Sequence, residues 1–181
     1  MKKILSLIIL VLLVVGCSLT NKRPSDAVEN YLNNYRNLNE VVLTDLNEIL
    51  KKENIDEDYQ NAYSDTLKRQ YRDLSYEIDD EEYNGNNAKV TVKITVYDYY
   101  KANKDSEEYL NSHKDEFLDE SGNYDASKYM KYRLEKLMDT KDKISYSITF
   151  DVKKNNNVWV VEQLDDTSLE KIHGIFNYEF E

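Results

Sequence analysis

Cross-links are the first thing this sequence lacks. Its 181 residues include a single cysteine, Cys17, so no disulfide can form within the chain and the fold must rest on apolar packing and hydrogen bonds. One proline and four glycines exclude collagen-like repeats, arrays of tight turns and a proline-rich stalk. Two histidines rule out a three-histidine zinc site. His113 and Glu116 stand one helical turn apart, but a carboxylate-bridged metal site needs a second such pair, and His173 beside Ile172 reads as a packed ring. Positive charge is also scarce: 24 Lys and Arg face 35 Asp and Glu, a net charge of -11, with no basic cluster to track a phosphate backbone, so nucleic-acid binding is excluded. No Walker loop, G-x-S-x-G elbow or G-x-G-x-x-G turn occurs, which removes the usual cradles for nucleotides and the usual setting for a nucleophilic serine. The sequence implies neither a cofactor nor a metal.

What is present begins at the N-terminus. Lys2 and Lys3 precede an apolar stretch, Ile4 to Val15, interrupted only by Ser6 and closed by the small residue Gly16. That is the three-part layout of a secretory signal, and it is too short for the ~18 apolar residues a membrane span requires. Val14, Val15, Gly16 and Cys17 resemble the lipobox of bacterial lipoproteins. The resemblance implies cleavage before Cys17, a diacylglycerol thioether on its sulfur, and residence on the extracytoplasmic face of the cell membrane. Stable attachment takes two acyl chains, which a diacylglycerol supplies. Residues 1–16 are thus expected to be a signal peptide, residues 17–24 the lipidated cysteine with a short linker, and residues 25–181 one domain. Loss of Lys2 and Lys3 would take the net charge from -11 to -13.

The domain opens with helical periodicity. Pro24, Ser25, Asp26 and Glu29 read as a helix start with Ser25 or Asp26 as cap and Glu29 as its reciprocal partner. Val28, Tyr31, Leu32, Tyr35, Leu38, Val42 and Leu46 then recur every three or four residues, with a break expected at Asn37 to Asn39. A further helix carries Tyr59, Ala62, Tyr63, Leu67 and Tyr71 on its inner side. At Leu74 the period changes to two. Tyr76 and Ile78, then Val90, Val92, Ile94 and Val96, alternate with polar residues around an Asn84-Gly85-Asn86-Asn87 turn, and Ile144 to Val152 with Val158 to Val161 form a second hairpin through Asn155 to Asn157. Between the hairpins lies a helical insertion, Lys101 to Asp142, and a last helix is expected with Thr167 as cap. Hairpins separated by helices call for an α+β fold: a curved antiparallel sheet of about four strands on N-terminal helices, with one wet face. This order, with "PSDAVENYLNNY" at the front and the Trp-bearing "YSITFDVKKNNNVWVVEQLD" near the end, is similar to small bacterial lipoproteins with an NTF2-like or cystatin-like domain.

Candidate chemistry is thin. Asp119, Ser121, Asn123 and Asp125 alternate like calcium-loop donors, but glycine falls at the fourth position and Met130 stands where a bidentate Glu is needed, so a turn through Gly122 with Asp125 as helix cap is the better reading. Among sixteen tyrosines, Tyr97, Tyr99 and Tyr100 cluster at a strand end and are the candidate interaction surface. The favoured expectation is a non-enzymatic binding module tethered to membrane lipid through Cys17 and meeting an envelope protein. The alternatives are an enzyme with an acid-base site inside an NTF2-like cone, or an immunity or structural envelope protein.

Overall fold

The computed structural model describes residues 21–52 and 57–180; Cys17 and the apolar leader lie outside them. Three helices come first: α1 (Pro24–Arg36), α2 (Glu40–Lys52) and α3 (Glu57–Arg72). Strands β1 (Ser75–Asn84) and β2 (Asn87–Tyr97) follow, then α4 (Tyr99–Ser112), a 3-10 turn at Lys114–Phe117 and α5 (Ala126–Asp139). The chain continues through β3 (Lys143–Asn155), β4 (Val158–Val161), α6 (Asp166–His173) and a final 3-10 turn at Tyr178–Phe180. The fold is α+β, with a four-stranded antiparallel sheet in the order β1-β2-β3-β4.

Period-two patterning sets the register. Val92 faces Ile148 and Ile94 faces Tyr146 across the central β2–β3 pair, so Val90 to Val96 at every second residue and Ile144 to Val152 at every second residue fall on one face. The opposite face is open and polar, with Thr91 and Thr149 hydroxyls 3.2 Å apart and Thr95 and Ser145 hydroxyls 2.8 Å apart. Against the apolar face lies α1, whose Val28 and Leu32 are fully buried with Val92, Ile94, Ile148 and Phe150. Truncating one of these large side chains to alanine would cost about 2–5 kcal/mol. The sheet curves. Asp79 is an extra residue between Ile78 and Asp80 that bulges β1, and Tyr83 on one edge strand reaches Trp159 on the other, ring centroids 6.0 Å apart. The β3–β4 turn runs through Asn156 and Asn157, both at positive φ, a conformation asparagine adopts more readily than most residues.

Helix boundaries differ from the sequence reading in two places. Pro24 is the first residue of α1 and Asp26 sits in its third position, accepting from the Arg23 backbone N–H at 3.0 Å and the Arg23 guanidinium at 2.9 Å. The fixed φ of proline suits the first helical position, so the helix begins ahead of Ser25 and Glu29 plays no capping role. Similarly α6 is capped by Asp165, which accepts from Ser168 N–H at 2.8 Å, rather than by Thr167. The break between α1 and α2 falls as expected: Leu38 adopts φ 49 and Asn39 Oδ1 caps α2 through Val42 N–H at 3.0 Å. On α3, Ala62 is exposed, while Ser64, Thr66 and Gln70 are buried in places a hydrophobic reading assigns to apolar residues.

Gln70 explains this departure. Its carboxamide is fully buried and makes three hydrogen bonds to main chain: Nε2 donates to Tyr97 O at 3.0 Å and His173 O at 2.9 Å, and Oε1 accepts from Tyr97 N–H at 2.8 Å. One side chain on α3 thus joins the end of β2 to the end of α6. Gly174 permits the close approach: it sits at φ 72, and a Cβ there would lie 2.1 Å from Gln70 Nε2 and 2.2 Å from Tyr97 O. Replacing Gln70 by Leu keeps the volume but leaves one buried donor and two acceptors without partners. Each orphaned group costs about 1–3 kcal/mol, so chemical denaturation of Gln70→Leu is expected to show one of the largest single-residue losses in the protein, and Gln70→Glu, which cannot donate, should lose comparably.

His173 gives the second prediction. Its Nδ1 lies 3.0 Å from the Tyr71 hydroxyl, and burial pushes its pKa down to about 4. In the unfolded chain the group returns to about 6.5, so between these values the unfolded state takes up a proton that the folded state refuses. Stability therefore rises with pH across roughly 4 to 6.5 and is lost as pH falls through that window. The swing from this residue is roughly 3 kcal/mol at most. Urea melts at pH 7 and pH 4.5 should show a smaller acid-induced loss for His173→Gln than for the parent protein.

Candidate functional site

The insertion between β2 and β3 presents polar and aromatic side chains around a cleft. Three contacts fix where it stands. Asp98 caps α4 by accepting from Lys101 N–H at 2.9 Å, and its other oxygen accepts from the Tyr178 hydroxyl at 3.0 Å, so a buried carboxylate ties the insertion's first turn to the C-terminal segment. Arg69 on α3 reaches the C-terminal end of α5, donating to Leu137 O at 3.2 Å, Met138 O at 2.8 Å and Thr140 O at 2.7 Å. These carbonyls have no partners within their own helix, and a cation there is also favoured by the helix dipole. Arg133 Nε completes the frame by donating to Asn103 Oδ1 at 2.6 Å, joining α5 to α4.

Between α4 and α5 lies an open cleft of about 410 Å³. Its walls place Lys101 and Lys136 among Asp105, Asp139 and Asp142, with the rings of Tyr109 and Tyr132 between them. Lys101 Nζ and Asp142 Oδ2 are 2.5 Å apart, and that hydrogen bond holds the Lys101 pKa above its ordinary value. Tyr109 is sandwiched: the His113 ring is stacked at 3.9 Å on one side and the Tyr132 ring at 4.7 Å on the other. The Tyr109 hydroxyl donates to Glu116 at 2.9 Å, an interaction that raises the phenol's pKa. Beneath them Phe117 is buried and meets Tyr129 and Tyr132 edge-on, at 5.8 and 5.6 Å. His113 and Glu116 are both partners of Tyr109. Among the described residues no grouping of three or more His, Cys, Asp or Glu is placed to hold a metal ion.

The residues singled out from sequence have particular places. Tyr99 is almost fully buried; its hydroxyl donates to Thr66 O at 3.0 Å and burial pushes its pKa up to about 12. Tyr97 is buried with its ring under the Arg69 guanidinium at 3.7 Å and its hydroxyl on Asp73 at 2.7 Å. Tyr100 alone of the three keeps a partly open ring, set edge-on against Tyr178 at 4.9 Å. Two of the expected contact tyrosines thus spend their surfaces on the frame that holds the insertion. The "DESGNYDASKYM" stretch is a turn: Asp119 Oδ1 accepts from Ser121 and Asn123 N–H, both at 2.8 Å, Gly122 takes φ 81, and Asp125 caps α5 through Ser127 N–H at 2.9 Å. Cys17 lies outside the described residues.

Sequence reasoning passed over Arg69, Gln70 and Tyr132. For Tyr132 a signal existed, because Tyr129, Tyr132 and Lys136 recur at three and four residues and form a stripe on one side of α5. Arg69 carries none, since a basic residue in the last turn of α3 looks like a complement to its own helix dipole. Its role is testable. In Arg69→Met the carbonyls at the end of α5 lose their donors, and hydrogen exchange over Ala126–Asp139 should accelerate by roughly ten- to a hundredfold, the equivalent of about 1.5–3 kcal/mol of local stability, while β2 and β3 keep their protection.

Comparison of the chain with protein-family models, with curated proteins and with solved structures gave no match.

Proposed function

We propose that this protein is a membrane-anchored extracytoplasmic lipoprotein whose NTF2-like or cystatin-like domain is a non-enzymatic interaction module, held to membrane lipid through Cys17 and meeting an envelope protein with the cleft of its insertion. The observation that carries the binding reading is where space is found. The concave side of the sheet, where a cone-shaped domain of this kind would keep an acid-base site, is filled by Val28 and Leu32 of α1 against Val92, Ile94 and Phe150. The buried carboxylate Asp98 serves a helix cap and a tyrosine hydroxyl. An open recess lies instead between α4 and α5, with alternating charges and the partly exposed rings of Tyr109 and Tyr132. Amphipathic rings that bury large area at little entropic cost are enriched in protein contact surfaces. No helix among the described residues is long and apolar enough to cross a membrane, and the lipobox sequence supplies the means of attachment.

Two measurements test this. The intact mass of membrane-extracted protein should show residues 1–16 removed and a diacylglycerol on Cys17, and Cys17→Ala should show neither; native protein with a free Cys17 thiol would overturn the anchor. A photo-crosslinking side chain placed at Tyr132 in intact cells should capture a protein partner that the same group at Thr149, on the open sheet face, does not. Adding Lys136→Glu should reduce capture at Tyr132 severalfold with unchanged circular dichroism. Equal capture from both positions would remove the cleft as the contact surface.

A further inference from the structure

We propose that the hairpin end of the sheet is the face the domain lays on an anionic lipid surface, with the ends of β2 and β3 that carry the insertion turned away from it. This rests on the anchor reading above and goes beyond it by assigning an orientation.

The first argument is the point at which the chain reaches the body. Asn21 is held to β4 on both sides of one residue: its Nδ2 donates to Trp159 O at 2.9 Å, and its carbonyl accepts from Trp159 N–H at 3.3 Å. Asn30 Nδ2, from α1, donates to Asn21 Oδ1 at 2.5 Å. Only Ser18, Leu19 and Thr20 separate this fixed residue from Cys17. Even fully extended, four steps of chain span about 14 Å. A lipid on Cys17 therefore confines Trp159 and its surroundings to the headgroup region and the layer next to it, and β2, about 33 Å long at ~3.3 Å per residue, sets its other end well beyond that reach.

The second argument is what the surroundings of Trp159 present. Three of the most exposed large hydrophobic residues lie there: Tyr83 at 59%, Val160 at 41% and Val158 at 38%. Tyrosine at such a site suits the boundary between water and acyl chain, where one end of the ring is wet and the other apolar. Of the carboxylates near this end, Asp26 is paired with Arg23, Asp151 with Lys89, Glu81 accepts from the Tyr83 hydroxyl, and Glu82 stands exposed opposite Lys89. Lys22, Lys153 and Lys154 add positive charge, with Lys154 Nζ 5.5 Å above the Trp159 ring. Each lysine close to an anionic surface adds to the attraction.

The third argument is the charge of one segment of the insertion, which springs from the other ends of the two central strands and whose remaining residues are richer in Lys and Arg than in Asp and Glu. Residues 105–125 hold Asp105, Glu107, Glu108, Asp115, Glu116, Asp119, Glu120 and Asp125 against one cation, Lys114. An anionic surface repels that segment while it attracts the lysines at the hairpin end, so the two forces turn the tethered domain in the same sense.

The test uses the full-length lipidated chain in vesicles of phosphatidylcholine and phosphatidylglycerol that carry a headgroup nitroxide. With Cys17 acylated, Asn86→Cys at the hairpin end and Lys141→Cys at the opposite end each provide one thiol for an environment-sensitive fluorophore. Quenching is expected to be severalfold greater at position 86 than at 141, and the difference should shrink when Lys153 and Lys154 are both changed to Glu. Equal quenching, or the reverse order, in protein whose intact mass shows the diacylglycerol would overturn the orientation alone. Protein whose Cys17 carries no glyceride overturns the anchor reading, and the orientation falls with it.

Discussion

A single buried amide holds the architecture together where its parts have least reason to meet. Gln70 projects from α3 into a space bounded by the last residue of β2 and the last turn of α6, and its hydrogen bonds to main chain at Tyr97 and His173 make those three elements share one geometry. A hydrophobic residue could fill that volume but could not orient the two chain segments, because dispersion is indifferent to direction whereas an N–H aimed at a carbonyl is not. Gly174 is the complementary constraint. The absence of a side chain lets backbone and carboxamide approach to a distance no other residue allows. From this junction the insertion departs, and Tyr100 N–H adds a direct bond to Gly174 O at 2.8 Å.

Arg69 extends the same logic one residue away on α3. Where Gln70 serves the sheet and α6, Arg69 serves α5, satisfying three terminal carbonyls and covering the Tyr97 ring. Consecutive residues of one helix point in directions about 100° apart, so α3 can reach two neighbours at once. The α4–α5 cleft inherits its shape from this arrangement, as its open end is set by where Arg69 stops α5 and where Asp98 starts α4. Its charges are exposed, and pairs such as Lys101 with Asp142 give specificity more than stability.

Much of this was legible beforehand. Alternation from Tyr76 to Val96 and from Ile144 to Val161 marks strands because a half-buried sheet has no other way to bury one face, and Asn-rich and Gly-containing turns mark where those strands reverse. The break at Leu38 and Asn39 was visible for the same local reason. Caps were less legible: Asp26 and Asp165 each have neighbouring Ser, Thr or Asp residues with similar chemistry, and the choice depends on where the preceding chain enters. The tyrosines misled most. Tyr97 and Tyr99 carry the composition of a contact surface, but the same amphipathic ring suits a buried site whose hydroxyl finds a carbonyl or carboxylate.

Sequence alone determined which residues pair with water and which avoid it, because periodicity is a local property: the α+β class, the two hairpins, the helical insertion and the short distance between Cys17 and the folded body follow from it. Tertiary structure alone decided that β2 and β3 lie side by side across the insertion, that Gln70 rather than an apolar residue belongs in the core, and that Trp159 holds Asn21. Each of those facts joins residues tens of positions apart in the chain. Such contacts are selected by the shape and unsatisfied hydrogen bonds of surfaces that exist only once the chain has folded, so no local pattern announces them.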